Sequence, residues 1–289
     1  MEPSAAPPGR LTTDDHDRGA AGLRYVYPVV SRRARGVSVG INLNPNDACN
    51  WRCVYCQVPG LVRGKAPTLD LALLRAELWA LLDDVVRGDF LARRVPEGAR
   101  RLADLAFSGN GEPTTSAQLG AALELVAEAR AAFGLGHDVK TILITNGSLT
   151  DQPAVAAALE RLAGLAGEVW FKLDRATREG LRAVSSTATD PDDHLARLRG
   201  CAARCPTWVQ TCMFARDGAP PDRAELDAYV AALAALVRDG VPLRGVHLYG
   251  LARPSHQPEA PTLARLPAAW LEALAAEVRA AGLHVEVSP

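Results

Sequence analysis

An alternation of two hydrophobic periods, repeated six times, restricts what this chain can fold into more than any other feature. Residues 37–43 (VSVGINL) alternate apolar Val37, Val39, Ile41 and Leu43 with small or polar neighbours, the period of a strand. The segments 102–108 (LADLAFS), 139–146 (VKTILITN), 168–174 (EVWFKLD), 207–214 (TWVQTCMF) and 243–250 (LRGVHLYG) read the same way. Each is followed by a stretch of helical spacing: 69–86, starting near the cap-like Thr68, then 116–132, 152–165, 192–205, 223–238 and 264–281. A short strand, LHVEVSP, ends the chain. Strand–helix units in series imply parallel strands with right-handed crossovers and helices outside. Six units are too few for an eight-stranded barrel, so the expected fold class is α/β, a partial (β/α)6 barrel with parallel strands in a single domain.

A chain of 289 residues is long enough to bury one large core. Its 48% hydrophobic and 22% charged residues argue against disorder or a fibre. Residues 1–22, rich in Pro, Gly, Ala and charge, read as a flexible leader, with the barrel domain over 23–289. No stretch approaches 18 uninterrupted apolar residues and no apolar signal region opens the chain, so the expectation is a cytoplasmic protein without a membrane span. The net charge of −1 gives no overall basic field for nucleic acid.

Against this ordinary background stands NPNDACNWRCVYCQ, in which Cys49, Cys53 and Cys56 are spaced C-x3-C-x2-C directly after the first strand. With 6 Cys in the chain, about 0.003 such matches are expected by chance. Three thiols on one loop suit a soft-metal site, and a [4Fe–4S] cubane held by three cysteines keeps one iron open to a small molecule. A structural zinc site needs a fourth ligand, and none of His16, His137, His194, His247, His256 or His284 lies within 30 residues of the loop. A redox C-x2-C pair leaves Cys49 unexplained. Burial as three small hydrophobes fits poorly with the polar neighbours Asn50, Arg52 and Gln57.

At these residues the chain resembles the radical S-adenosylmethionine (SAM) superfamily, whose signature is CxxxCxxC with an aromatic residue, here Tyr55, before the last cysteine. The resemblance implies a partial-barrel fold and Cys49, Cys53 and Cys56 as catalytic cluster ligands. It also implies S-adenosyl-L-methionine on the open iron, a 5′-deoxyadenosyl radical that abstracts hydrogen from substrate, and an electron donor such as flavodoxin or ferredoxin.

In parallel βα folds the chemistry sits at the carboxyl ends of the strands. The second strand ends in SGNGEPT, where Gly109 and Gly111 would let backbone approach a ligand, joined by Asn110 and Glu112. The turn is similar to a family motif associated with the SAM amino group. On that reading Gly111→Val weakens SAM binding and leaves the cluster intact. Asn146 either caps the following helix or contacts ligand. Period-two alternation sends Val169, Phe171 and Leu173 outward and Trp170, Lys172 and Asp174 into the lumen, where Lys172 and Asp174 are expected to pair with each other or with the cofactor. Gln210 and Cys212 share a lumen face. Tyr249 offers an aromatic wall and Arg253 a fork for carboxylate or phosphate, with core packing and loop anchoring as their plain alternatives. Cys201 and Cys205 fall on the apolar face of a helix that packs outside the sheet, across the sheet from Cys212, so those three are not expected to share a second cluster.

CNWRCVYCQ with SGNGEPT resembles most the enzymes related to tRNA wyosine-base synthases. Those carry cysteines upstream of the motif and this chain has none before Cys49, so the cofactor chemistry carries over, with modification of a tRNA base as one alternative for the substrate. Arg32, Arg33, Arg35, Arg63 and Lys65 read as solvated surface, with phosphate binding as the alternative. The substrate is a small molecule, a peptide or a tRNA base. An iron–sulfur protein that transfers electrons or senses redox state is the competing class.

Overall fold

The computed structural model describes residues 10–12, 22–31 and 34–289. All six expected strand–helix units are present. The parallel strands are β2 (Gly36–Ile41), β3 (Leu102–Phe107), β4 (Lys140–Thr145), β5 (Gly167–Lys172), β6 (Thr207–Cys212), β7 (Leu243–Tyr249) and β8 (Val285–Ser288), adjacent in the order of the chain. A strand that the periodicity did not indicate, β1 (Val26–Ser31), pairs antiparallel with β2 from Val26↔Ile41 to Ser31↔Gly36. Its Pro28 cannot donate to a ladder, which is tolerated because β1 is the sheet's edge. The result is an eight-stranded, mostly parallel, curled half-barrel, the partial barrel expected from the alternation.

The helices that cover the outside are α1 (Leu71–Val86), α2 (Phe90–Arg94), α3 (Leu119–Ala132), α4 (Pro153–Ala163), α5 (Arg178–Ser185), α6 (Pro191–Arg204), α7 (Arg223–Arg238) and α8 (Ala268–Ala280). Helix α1 begins two residues later than expected, because Asp70 rather than Thr68 accepts the Leu73 N–H at 3.0 Å and satisfies one orphan donor of the first turn. The short helix α5, absent from the sequence reading, is capped by Thr177 and ends at Ser186 in the left-handed region, φ 50°.

Strand parity divides the side chains as period two requires. Val39, Ile41, Leu105, Phe107, Leu143, Val169, Phe171, Val209, Val246 and Leu248 are buried outward under helix residues such as Leu78, Leu123, Leu159, Leu198, Leu233 and Leu271. Each fully buried large apolar side chain contributes about 1.5–3 kcal/mol, so this outer layer holds the barrel open for a polar interior. Cys201 and Cys205 belong to it. The Glu77 carboxylate on α1 accepts the Arg24 and Tyr25 N–H groups at 2.9 and 2.7 Å and fixes the entry to β1. Leu11, inside the stretch expected to be a leader, is buried, and its N–H bonds the Arg94 carbonyl at 2.8 Å. Residues 1–9 and 13–21, together with Arg32 and Arg33, lie outside the described residues. Among the described residues no helix is long and apolar enough to cross a membrane.

A candidate cluster loop over a lumen cavity

The loop after β2 is fastened at several points before any ligand is considered. Asn42 Oδ1 accepts the Asn44 and Asn110 N–H groups, and Asn44 Nδ2 donates to the Ala48 carbonyl at 2.9 Å. Ala48–Cys49 forms a two-residue parallel ladder with Val62–Arg63. Arg52 N–H and Val54 N–H donate to the Ser185 and Val184 carbonyls at the end of α5. From the far end of the chain, Ser255 Oγ donates to the Val54 carbonyl at 2.8 Å, Gln257 Nε2 to the Val58 carbonyl at 3.1 Å, and Glu259 makes a two-pronged pair with Arg52 at 2.7 Å. Trp51 tilts against the buried His194 ring, whose Nε2 lies 2.9 Å from the Lys172 carbonyl. Thus the residues between the cysteines are held by β2, α5, α6 and the segment before α8.

Cys53 and Cys56 line a cavity of about 330 Å³ inside the half-barrel, and Cys49 sits half-buried beside them on the same loop. Burial, helped by the charges of Glu112 for Cys49 and Asp174 for Cys53, pushes both thiols up to about 12. Buried thiols of that kind ionise only when a cation replaces the proton. Three thiols on one loop with no imidazole or carboxylate interleaved have the donor chemistry of a soft iron–sulfur cluster; among the described residues no three such side chains stand already grouped as metal ligands, so Cys49 would have to turn towards Cys53 and Cys56 to hold one.

The lumen wall behind the cysteines is a connected polar array. Asp174, 3% exposed, accepts the Cys212 N–H at 2.7 Å and lies 3.2 Å from Lys172 Nζ, while Tyr55 donates its hydroxyl to the other carboxylate oxygen. Lys172 also donates to the Tyr249 hydroxyl and stands 4.9 Å from the centre of each of the Tyr55 and Tyr249 rings. Burial alone pulls the ammonium of Lys172 down, but Asp174 and Tyr249 outweigh it and hold the lysine charged. Burial, with Asp174 adding to it, keeps the Tyr55 phenol protonated. The expected pairing of Lys172 with Asp174 is therefore what the structure contains. Gln210, 2% exposed, lines the same cavity, and its Nε2 has no hydrogen-bond partner. Arg253 and Tyr249 line the same cavity; Cys212 faces the lumen, on the opposite side of the sheet from Cys201 and Cys205.

The fold itself requires the glycines of the SGNGEPT turn. Gly109 and Gly111 border the cavity, but what forbids a side chain at each is the protein itself. A Cβ on Gly111 would stand 2.0 Å from the Ala48 carbonyl oxygen, and Gly109 has φ +134° with Asn42 Oδ1 2.6 Å from where its Cβ would be. Glu112 is buried, and its carboxylate accepts from Thr114 N and Oγ1, Thr145 Oγ1 and Asn146 N. Burial raises the Glu112 pKa and these four donors oppose the rise. It straps the turn to the end of β4. Asn110 Nδ2 donates to Asp47 at 2.6 Å, and Asn146 Nδ2 to Asn50 Oδ1 at 2.8 Å, so both tie strand ends to the cluster loop. Asn146 does not cap α4, whose N-cap is Gln152.

Sequence reasoning passed over Asn42 and Asn44, Trp51 with His194, and the Ser255–Glu259 clamp. Two asparagines at the end of an otherwise apolar strand were a usable signal. The others depend on tertiary proximity that no local pattern encodes.

No family model matches the chain. It is 30% identical over 138 residues to a UPF0026 protein of Helicobacter pylori, covering 46% of this chain and 38% of that one. To a UPF0026 protein of Methanocaldococcus jannaschii it is 31% identical over 123 residues, covering 42% and 32%. The matches thus span well under half the length of these curated relatives. Among solved structures it is similar to a radical SAM methyltransferase from Sphaerobacter thermophilus, with TM-score 0.56, 16% identity, and 91% of this chain and 68% of that chain covered. A spore photoproduct lyase mutant gives TM-score 0.54 at 12% identity, covering 84% and 74%. At these identities the likeness establishes the fold. This chain shares its half-barrel fold with that radical SAM methyltransferase and that lyase. Neither neighbour is a wyosine-base synthase, and that nearer grouping draws no support from them.

Proposed function

We propose that this chain is a radical SAM enzyme that holds a [4Fe–4S] cluster on Cys49, Cys53 and Cys56 and binds S-adenosylmethionine in the lumen cavity. The observation that carries the reading is the position of the three-thiol loop at the cavity, within the fold of radical SAM enzymes. When bound, the cluster and S-adenosylmethionine together supply one-electron cleavage of the sulfonium and a 5′-deoxyadenosyl radical.

The chain's own residues supply position and environment. Asn44, Ser185 and Ser255 fix the loop backbone around the thiols, and Glu112 and Asn146 hold the adjoining strand ends. Lys172, kept charged by Asp174, offers a cation to a cofactor carboxylate or ribose hydroxyl. Tyr55 and Tyr249 give it flat faces, and Arg253 adds a planar fork to the cavity wall. Gln210 Nε2 has a donor free for an acceptor on whatever fills the cavity. Ile142, Ile144 and Trp170 form an apolar wall that excludes water from a reactive intermediate. An electron carrier or redox sensor needs the cluster but no such cavity, which favours the enzyme.

Anaerobically reconstituted protein, reduced with dithionite and given S-adenosylmethionine, should form 5′-deoxyadenosine, and Cys53→Ala should not. A reducible cluster that yields no 5′-deoxyadenosine would sink the enzymatic reading in favour of the electron-transfer one.

A further inference from the structure

The lumen cavity has two unlike ends. At one, Cys212 and Tyr249, in register as the last residues of β6 and β7, pack with Val54 and Tyr55 of the cluster loop. At the other, Ala106, Ile142 and Trp170 form a separate buried cluster on which Ile144 and Trp208 pack. Ala106, Ile142, Ile144 and Trp170 line the cavity there, as do Asp104, two residues nearer the amino end of β3, and Ser38, its partner on β2. Gln210 stands between the two ends, on the same face of β6 as Cys212 and about 7 Å further from the cluster loop.

Gln210 is 2% exposed and its amide Nε2 has no hydrogen-bond partner. A half-turn of the terminal amide exchanges its two ends, so either can be offered to the cavity. The neighbours in register with it are occupied by other groups. On β5, Lys172 is held by Asp174 and Tyr249; on β7, His247 stacks on Trp208 with Nδ1 3.2 Å from Glu286. A buried amide without a partner costs stability, and an apolar side chain of similar shape removes that cost. A ligand that bonds the amide removes it as well.

The charges at this end exclude one class of ligand. Among the described residues the only cations lining the cavity are Lys172, already against Asp174, and Arg253, whose carbonyl accepts from Gln57 of the cluster loop. The apolar end holds instead the buried Asp104 carboxylate, which accepts from Ser38. Lys140, in register with Asp104, does not line the cavity and pairs with Glu168 at 3.8 Å. Carboxylate and phosphate are therefore disfavoured here, and what remains is apolar wall with an amide to satisfy.

We infer that this end of the cavity is the substrate subsite and takes a neutral, largely apolar molecule whose carbonyl oxygen accepts from the Gln210 amide. The inference rests on the cofactor reading above, which fills the end beneath the cysteines, and adds the chemistry of the substrate.

The test uses benzamide, toluene and benzoate as probes on anaerobically reconstituted protein saturated with S-adenosylmethionine, with binding followed by saturation-transfer NMR. Benzamide should bind wild type about threefold to tenfold more tightly than toluene, which lacks the acceptor, and benzoate should bind least. Gln210→Met should bring benzamide down to the level of toluene and leave S-adenosylmethionine affinity, measured by calorimetry, at the wild-type value. Without cluster or cofactor, the same variant should melt about 2–6 °C above wild type, because the unpartnered amide is gone. A lower Tm would make the amide structural and overturn the subsite. So would equal binding of the three probes to wild type, or weaker S-adenosylmethionine binding by Gln210→Met with benzamide unaffected, which would assign the amide to the cofactor. Wild type that binds no S-adenosylmethionine would overturn the cofactor reading, and with it the division of the cavity into two ends.

Discussion

Replacing Gly111 with Ala separates two accounts of the glycine-rich turn. If the glycine exists to let a ligand approach, the methyl weakens S-adenosylmethionine binding and spares the cluster. The structure says otherwise: the new Cβ would lie 2.0 Å from the Ala48 carbonyl oxygen and 2.8 Å from Asn44 Cβ and Cγ. Ordinary contact begins at 3.4 Å, so Ala48 and the turn must separate by 1.4 Å. Ala48 is bonded to Cys49, and Asn44 is the side chain that holds the Ala48 carbonyl, so the movement passes into the first cluster ligand and loosens its anchor. Overpacking of this kind costs about 1–3 kcal/mol, which in a chain of this size lowers Tm by about 2–8 °C. Apo Gly111→Ala should show that loss by calorimetry, and after anaerobic reconstitution should retain less than about half the wild-type iron. Wild-type iron and Tm, with reduced S-adenosylmethionine affinity, would refute the steric argument and return the glycine to a ligand-contact role. Gly111→Val should be worse in the same direction, contrary to the expectation drawn from sequence.

Cys49→Ala, Cys53→Ala and Cys56→Ala should each lose stable cluster and brown absorbance, because two thiolates retain a cubane poorly; unchanged iron in all three would contradict the ligand assignment. His194 is fully buried and its pKa is lowered to about 4, chiefly by burial. Its folded value lies below the unfolded one of about 6.5, so the unfolded chain takes up the proton first. The stability is whole above that pH and falls by about 1.4 kcal/mol per unit as pH drops towards 4; His194→Gln should flatten this segment of the Tm–pH curve, and an unchanged slope would count against it. Cys201/Cys205/Cys212→Ala should keep the wild-type complement of about four irons, since Cys201 and Cys205 lie outside the sheet and Cys212 inside; eight irons in wild type falling to four would reveal a second cluster.

Parallel strands with buried outer faces made the architecture legible, because each βα unit writes both of its periods into the sequence. The same parity placed Lys172, Asp174, Gln210 and Cys212 in the lumen. Strand β1 was hidden by Pro28, a residue that usually argues against a strand and is tolerated at this sheet's edge, and α5 by its eight-residue length. What could not be read were the partners. Glycines that reserve room for a neighbouring carbonyl look like glycines that reserve room for a ligand, and Glu112 gives no sign in sequence that four donors already occupy it.

The clamp on the cluster loop also dictates an order of events. Ser255, Gln257 and Glu259 reach back about 200 positions along the chain to Val54, Val58 and Arg52. While the polypeptide is being made, the three thiols precede by about 200 residues the segment that fixes their backbone. Contacts this distant form late, after the loop-closure entropy of the intervening units has been met. The nascent chain therefore carries unclamped thiols while those residues are made, open to oxidation or to the wrong metal. Iron insertion belongs to a chain made past residue 259, and fragments ending before residue 255 should fold much of the half-barrel and still fail to hold iron.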